Sequence, residues 1–307
     1  MIDIVAEHPH YADHIRPIWD ALPPELKGTD WGAGPALPSN NLLLVAGYSD
    51  VKRHRHHRII YLEHGAGQSY IGLDIGAQPF YSGGPQHRNV VGYLCPNQSV
   101  AYRWNARYPD VTTQVIGCPK LDALHGSVPE DRTVAITFHW NASATGVPET
   151  GTAFGHYVQA LPDIIQRWRS SGWHVLGHAH PRYRALADFW QIPEMRTMVE
   201  WCPSGSDILA RAGVLVADNT SLQPEALSLG RSVVWLNCPE YRRNVHHGGR
   251  FWEWPEMSGV SVDGPSELLR LDLDDVPVSG GHPYAYADSM ASERAVASLK
   301  FMVYQMA

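Results

Sequence analysis

The sequence predicts an α/β protein made of two doubly wound, parallel-sheet domains. Three observations predict it. Short, wholly apolar runs of strand length, such as Leu42–Ala46 and Val214–Ala217, lack the polar alternation of a sheet with one wet face. Amphipathic, helix-length stretches separate these runs. The alternation also occurs twice, before and after the polar segment Ser127–Arg132.

In the first series, Ile2–Glu7 reads as a strand and His10–Leu22 as an amphipathic helix. Pro23–Pro38 reads as a Gly/Pro-rich connection. Leu42–Ala46, Ile59–Leu62, Val90–Leu94 and Val115–Ile116 read as buried strands. Gly65–Asn89, rich in Gly, Pro, Ser and Gln, reads as a long loop of the kind that is often functional. The second series runs Thr133–Phe138 strand, Gly155–Ser171 helix, His174–Leu176 strand, Arg184–Trp190 helix, Arg196–Glu200 strand and Ser206–Arg211 helix. It closes with Val214–Ala217 strand, Leu222–Leu229 helix and Val233–Leu236 strand. A final amphipathic helix, Ala291–Tyr304, is expected to return to the first domain. The expected domains are therefore 1–127, 128–290 and this helix, 291–307. Parallel sheets bind ligands beyond the carboxyl ends of their strands, so two facing domains would place a site in the cleft between them.

Composition narrows the function. At 307 residues the chain can form two domains with real cores, and 44% hydrophobic with 18% charged residues is an ordinary globular balance. A net charge of −7 argues against non-specific nucleic-acid binding, although HRHHR at 54–58 and Arg242-Arg243 are locally basic. The four cysteines are widely spaced, without a zinc pattern, and read as reduced thiols. The chain begins directly with a strand and has no apolar run of membrane length, so a cytoplasmic location is expected.

The chemistry is concentrated at strand ends. In AGVLVADNTSLQPEALSLGRSVVWLN (212–237), a strand leads to Asp218-Asn219-Thr220-Ser221 and then a helix carrying Glu225. Hydroxyls and backbone N–H groups at a helix start suit a phosphate, with Glu225 one turn in and within reach of a ribose. An N-cap closing an ordinary βα unit uses the same residues. RIIYLEHGAG (58–67) ends a strand in His64, with Gly65 and Gly67 permitting close backbone approach. With an ordinary pKa near 6.5, His64 is a plausible general base, the alternative being a structural histidine. WHVLGHAHPRYR (173–184) runs from a strand into His178, His180 and Arg182, suited to phosphate oxygens. No third ligand accompanies the HxH pair at metal-site spacing, so no metal is expected. Arg242 and Arg243 open an aromatic-rich stretch that ends in Asp263-Gly264-Pro265; a surface loop packed by tryptophans is the alternative.

Taken in order, these motifs resemble the CDP-glycerol glycerophosphotransferase (teichoic-acid polymerase and primase) family, of GT-B, two-Rossmann architecture. The resemblance covers about residues 58–271. It rests on His64-Gly65, Gly117-Cys118-Pro119-Lys120-Leu121-Asp122, Thr137-Phe138-His139-Trp140, His180-Pro181-Arg182, Ala217–Ser221 with Glu225, and Arg243–Glu256 leading to Asp263-Gly264-Pro265 and Glu267-Leu268. Asn219-Thr220 stands where the family has Tyr-Ser, and Lys120 where it has Arg.

The resemblance implies a transferase that moves a phosphoglycerol-type or glycosyl group from a nucleotide-diphosphate donor to an acceptor hydroxyl of a polyol phosphate, glycan or modified nucleobase. It implies no cofactor, the nucleotide-diphosphate donor being a substrate. It makes His64 and His180 catalytic, with Gly65, Gly67, Arg182, Asp218, Asn219, Thr220, Ser221, Glu225 and Arg243 on the donor. A UDP- or GDP-sugar glycosyltransferase, a nucleotide-sugar 2-epimerase and a non-catalytic binding protein of the same fold are the alternatives.

Overall fold

The computed structural model describes residues 1–66, 87–140, 152–218, 220–239, 259–278 and 283–305. The chain divides into two compact units, Met1–His125 with Pro283–Ala307, and Gly126–His282.

Unit 1 holds β1 (Ile2–Ile4), β2 (Lys27–Asp30), β3 (Leu42–Val45), β4 (Arg58–Leu62), β5 (Val90–Cys95) and β6 (Thr112–Val115). They form one parallel sheet in the order β2-β1-β3-β4-β5-β6. Strand direction of travel reverses between β1 and β3, so the carboxyl ends of those two strands border the switch-point crevice. One face packs under α1 (Pro9–Ala21) and α11 (Ala291–Gln305), where Ile15, Ile18, Ala295, Leu299 and Met302 meet Ile4, Leu44 and Ile60. The other packs under α3 (Gln98–Arg107), whose Val100, Ala101 and Trp104 meet Leu43, Val45 and Tyr93.

Three of these elements differ from the sequence expectation. β2 falls inside the Pro23–Pro38 connection because KGTD carries no apolar signal. The buried Asp3 holds it in place, accepting from Thr29 N–H (2.7 Å), Asn41 Nδ2 (2.8 Å) and Ser39 Oγ (2.9 Å). Gly28 is needed beside it, since a Cβ there would lie 2.1 Å from Asp3 Oδ1. α3 was absent from the expectation, although Asn97 caps it by accepting from Val100 N–H at 2.9 Å. β6 begins at Thr112, ahead of the expected Val115–Ile116.

Asp122, the last residue of the Gly117–Asp122 motif, has a structural task. Its two carboxylate oxygens accept from Ala291 N–H (2.9 Å) and Ser292 N–H (2.7 Å), capping α11. Gly117 adopts φ +89°, and a Cβ there would approach the Ala285 carbonyl at 2.7 Å. Asp122→Ala is therefore expected to cost about 1–2 kcal/mol in urea unfolding. A loss under about 0.3 kcal/mol would show that the cap contributes nothing.

Unit 2 holds β7 (Thr133–Thr137), β8 (His174–Gly177), β9 (Glu200–Trp201), β10 (Val214–Ala217), β11 (Ser232–Leu236) and β12 (Val260–Val262). Its parallel order is β12-β11-β10-β7-β8-β9, with the switch point between β7 and β10. The helices are α4 (Phe154–Tyr157), α5 (Leu161–Ser170), α6 (Arg184–Trp190), α7 (Pro193–Arg196), α8 (Gly205–Arg211), α9 (Leu222–Ser228) and α10 (Pro265–Arg270). The expected helix Gly155–Ser171 is split into α4 and α5, Pro162 opening the second. The expected strand Arg196–Glu200 is corrected. Pro193 starts the short helix α7, Val199 packs against Gly177, and pairing begins only at Glu200. Glu267 of the Asp263–Leu268 motif caps α10, accepting from Asp263 N–H at 2.6 Å.

Candidate functional site

In unit 2 the carboxyl ends of β7, β8 and β10 bring most of the sequence-identified residues together. Asp218 ends β10 and is 2% exposed. Its Oδ1 accepts from His139 N–H at 2.6 Å, and its Oδ2 from Ala153 N–H (2.7 Å) and Thr152 Oγ1 (3.1 Å). Both oxygens are thus taken up by protein donors. Asp218, grouped with the donor contacts in the sequence reading, ties the loop after β7 and the start of α4 to the switch point.

That tether presents His139 and Trp140. The Trp140 ring stacks with His180 (centroids 6.0 Å, 26°), and the Arg182 guanidinium lies over it at 5.3 Å. His180 Nδ1 accepts from Arg182 N–H at 3.1 Å, which leaves the ring proton on Nε2 when the imidazole is neutral. His178 plays a different part from His180. It is buried, with Nδ1 2.8 Å from Thr137 Oγ1 and its carbonyl accepting from Trp190 Nε1, so it fastens β8 to β7. The edge therefore offers an aromatic face, a cation and a directed N–H, a set suited to an anionic ligand with a stackable ring.

The turn after Asp218 is tightly built. Gln223, fully buried, donates to the Ala217 carbonyl at 2.6 Å, and Thr220 Oγ1 accepts from Leu222 N–H at 3.3 Å. Ser221 stands at the N-cap position of α9 without making a side-chain cap bond. Glu225 is fully buried in α9. Asn219, Gly67, Arg243 and most of the Gly65–Asn89 and 240–258 segments lie outside the described residues.

Unit 1 carries a second group of polar residues. His64 follows β4, its carbonyl accepting from Tyr284 Oη at 3.3 Å. Its ring meets Tyr11 edge-on (5.1 Å) and His14 (5.7 Å). Gly65 beside it is buried. Burial pushes the His64 pKa down to about 4, the Ala46 backbone hydrogen bond opposing this and Lys120 adding to it. The sequence expectation used the ordinary value near 6.5. In the structure His64 is neutral at pH 7 and only weakly basic. Burial also holds His14 well below its usual value.

Sequence reasoning passed over Glu7 and Asp50, at the ends of β1 and β3. Asp50, on α2 (Tyr48–Arg53), is fully buried, and its carboxyl is hydrogen-bonded to the Glu7 side chain and backbone. Burial raises its pKa to about 7, with the charge of Glu7 adding to the shift. The available signal was an acidic residue after each of two adjoining apolar strands, in IVAEH and VAGYSD.

Among the described residues no group of three or more His, Cys, Asp or Glu could hold a metal ion, and no helix is long and apolar enough to cross a membrane. All four cysteines are free and buried.

No protein-family model matches the chain, and no curated protein does. Solved structures do. The wall teichoic acid polymerase TagF superposes with a TM-score of 0.67 at 12% identity, over 100% of this chain and 90% of that one. The fold is GT-B. UDP-GlcNAc 2-epimerase from Neisseria meningitidis, bound to UDP-GlcNAc, gives a TM-score of 0.64 at 12% identity, over 98% of this chain and 99% of the other. The Methanocaldococcus jannaschii UDP-GlcNAc 2-epimerase gives 0.58 at 12% identity, over 98% and 99%. At such identities the likeness to both groups is one of fold.

Proposed function

We propose that the protein is a nucleotide-diphosphate-dependent transferase that moves a phosphoglycerol-type or glycosyl group to an acceptor hydroxyl. The observation that carries the reading is the Trp140–His180–Arg182 group beside the Asp218–Ser221 turn, at the switch point of unit 2. Anionic ligands bind at such points, beyond the carboxyl ends of the strands. In this reading Arg182 and His180 Nε2–H hold the diphosphate, Thr220 and Ser221 receive the departing nucleotide, and Glu225 fixes the ribose end of the pocket. Trp140 stacks on the base or sugar. Positioning and charge neutralisation supply most of the rate. With a pKa of about 4, His64 has little driving force for proton abstraction at pH 7.

The test is a melting series with CMP, CDP, CDP-glycerol, UDP, UDP-glucose, UDP-GlcNAc and GDP-mannose. A ligand at 100 times its Kd adds about 2.7 kcal/mol, a visible rise in Tm. Stabilisation by cytidine nucleotides selects phosphoglycerol transfer, and by uridine or guanosine nucleotides glycosyl transfer. No rise with any of them overturns the reading. Arg182→Ala is expected to weaken the stabilising nucleotide about 10- to 100-fold, the value of one or two charge-assisted hydrogen bonds. An unchanged Kd removes Arg182 from the site.

The whole-length superposition on UDP-GlcNAc 2-epimerases favours a second reading, epimerisation of a nucleotide sugar. Conversion of UDP-GlcNAc to its C2 epimer with no acceptor present separates it from transfer.

A further inference from the structure

The amino ends of the unit 2 strands border a cavity that the proposed function does not use. It has a volume of about 460 Å³ and lies against Thr133, Val214 and Ser232, the first residues of β7, β10 and β11. Residues 128–132, which lead into β7, also line it, together with Trp173 and Leu273. The Trp140–His180–Arg182 group stands at the other, carboxyl ends of the same sheet. A volume of this size is within the range of small-ligand pockets. All of its lining belongs to unit 2.

The charged groups of the lining are Glu130, Asp131 and Asp274 against the single cation Arg132. Arg132 is already committed. Its guanidinium donates to both Asp274 oxygens (3.0 and 2.9 Å) and to the Ser171 carbonyl (2.9 Å), and lies 5.0 Å from the Trp173 ring centre. Glu130 accepts from Arg211 Nε at 2.6 Å. The Asp131 carboxylate alone has neither an ion pair nor a hydrogen bond among the described residues. The charge left over at the cavity is therefore negative. Arg132 also adopts φ +45°, a left-handed conformation that side chains rarely take and that surrounding bonds must hold. Backbone strain of this kind gathers at ligand sites.

The surface around the opening is apolar. Val128, which lines the cavity, is 86% exposed, and Val278, 70% exposed, pairs with the lining residue Ser232. Among the described residues of unit 2 these are the most exposed large hydrophobic side chains, and both border this one cavity. Aliphatic groups gathered in the open beside a cleft mark a contact surface. We propose that the cavity binds a small organic monocation, a primary amine carried on an apolar body. The ammonium donates to Asp131, the carboxylate that no protein cation neutralises. The apolar body covers Val128 and rests on Leu273 and Trp173. An anion is rejected because the one cation present is held by Asp274, while Asp131 would repel it. The proposal is independent of the transferase reading.

The experiment titrates the full-length protein with four probes, followed by calorimetry and by the assigned indole N–H resonance of Trp173. The probes are 2-phenylethylamine, its neutral counterpart 2-phenylethanol, the anion 3-phenylpropanoate, and methylammonium, which has the charge without the body. The amine is expected to bind with a Kd of about 1 mM or tighter and to shift the Trp173 resonance. The alcohol binds about tenfold more weakly, and the other two more weakly still. Asp131→Asn brings the amine down to the affinity of the alcohol and leaves the alcohol unchanged, whereas Val128→Ser weakens both. Asp131 and Val128 are exposed, so both variants keep the fold, which their melting curves check. Equal affinity for amine and alcohol, tighter binding of the carboxylate, or an Asp131→Asn protein that holds the amine as well as wild type does overturns the proposal. So does amine binding that leaves Trp173 unmoved, which places the amine elsewhere, or no binding of any probe.

Discussion

Acidification from pH 7 to pH 4 is expected to destabilise the protein by several kcal/mol. Five buried or half-buried histidines of unit 1, His14, His54, His64, His87 and His125, are held below their usual pKa by burial, His64 and His87 to about 4. Each binds a proton in the unfolded chain from about pH 6.5 downward but resists it in the folded one. Their stabilising effect is therefore fully present above pH 6.5 and is lost as the pH falls towards 4. For His87, 2% exposed against Trp104 and Tyr93, the difference is worth about 3 kcal/mol.

Asp50 works in the opposite sense. Its folded pKa is raised to about 7, so the folded state holds a proton that the unfolded chain releases above about pH 4. Its contribution is present at low pH and lost as the pH rises through 7. One such group offsets part of the effect of five. Urea unfolding at half-unit pH intervals measures the sum, and the difference curve for Asp50→Asn isolates the carboxyl. A stability that is flat or rising between pH 6.5 and 4 in the Asp50→Asn protein would remove the histidine account.

The other large effect is expected at Asp218. Asp218→Ala deletes the acceptor of two backbone N–H groups and a hydroxyl at one buried point. Each buried donor left unsatisfied costs about 1–3 kcal/mol, so the total should be about 3–5 kcal/mol. The substitution should also abolish nucleotide-induced stabilisation, because His139, and with it Trp140, loses its tether. Asp218→Asn keeps one acceptor oxygen and should lose about half as much. A loss below 1 kcal/mol for Asp218→Ala would show that the loop after β7 is held by something else.

The strands that the sequence showed plainly are those whose burial is complete on both faces. Leu42–Ala46, Ile59–Leu62 and Val214–Ala217 consist almost wholly of apolar residues, and the structure pairs them at the sheet centres. β2 carried no such signal, because its place depends on a long-range bond to Asp3. Helix α7 replaced an expected strand because Val199 is buried by packing on Gly177, which a local pattern cannot distinguish from sheet burial. In the candidate site, His180 and Arg182 were visible as types that bind anions at a strand end. What Asp218 does was not, since an acid beside Ser and Thr reads the same whether it faces a ligand or backbone N–H groups. Glu7 and Asp50 stayed hidden for a related reason. They are 43 positions apart, and only the adjacency of β1 and β3 makes them a pair.

The division of the chain has a consequence for its biosynthesis. Unit 2 is one uninterrupted stretch, whereas unit 1 is completed by residues that leave the ribosome after all of unit 2. Until α11 emerges, Ile15, Ile18 and Leu44 lack the cover that Ala295, Leu299 and Met302 provide, and Asp122 has no helix to cap. The order of maturation along the nascent chain is therefore the reverse of the usual N-terminal-first sequence. The later half closes as a unit first, while the earlier half waits, with an apolar face uncovered, for the fifteen residues of α11.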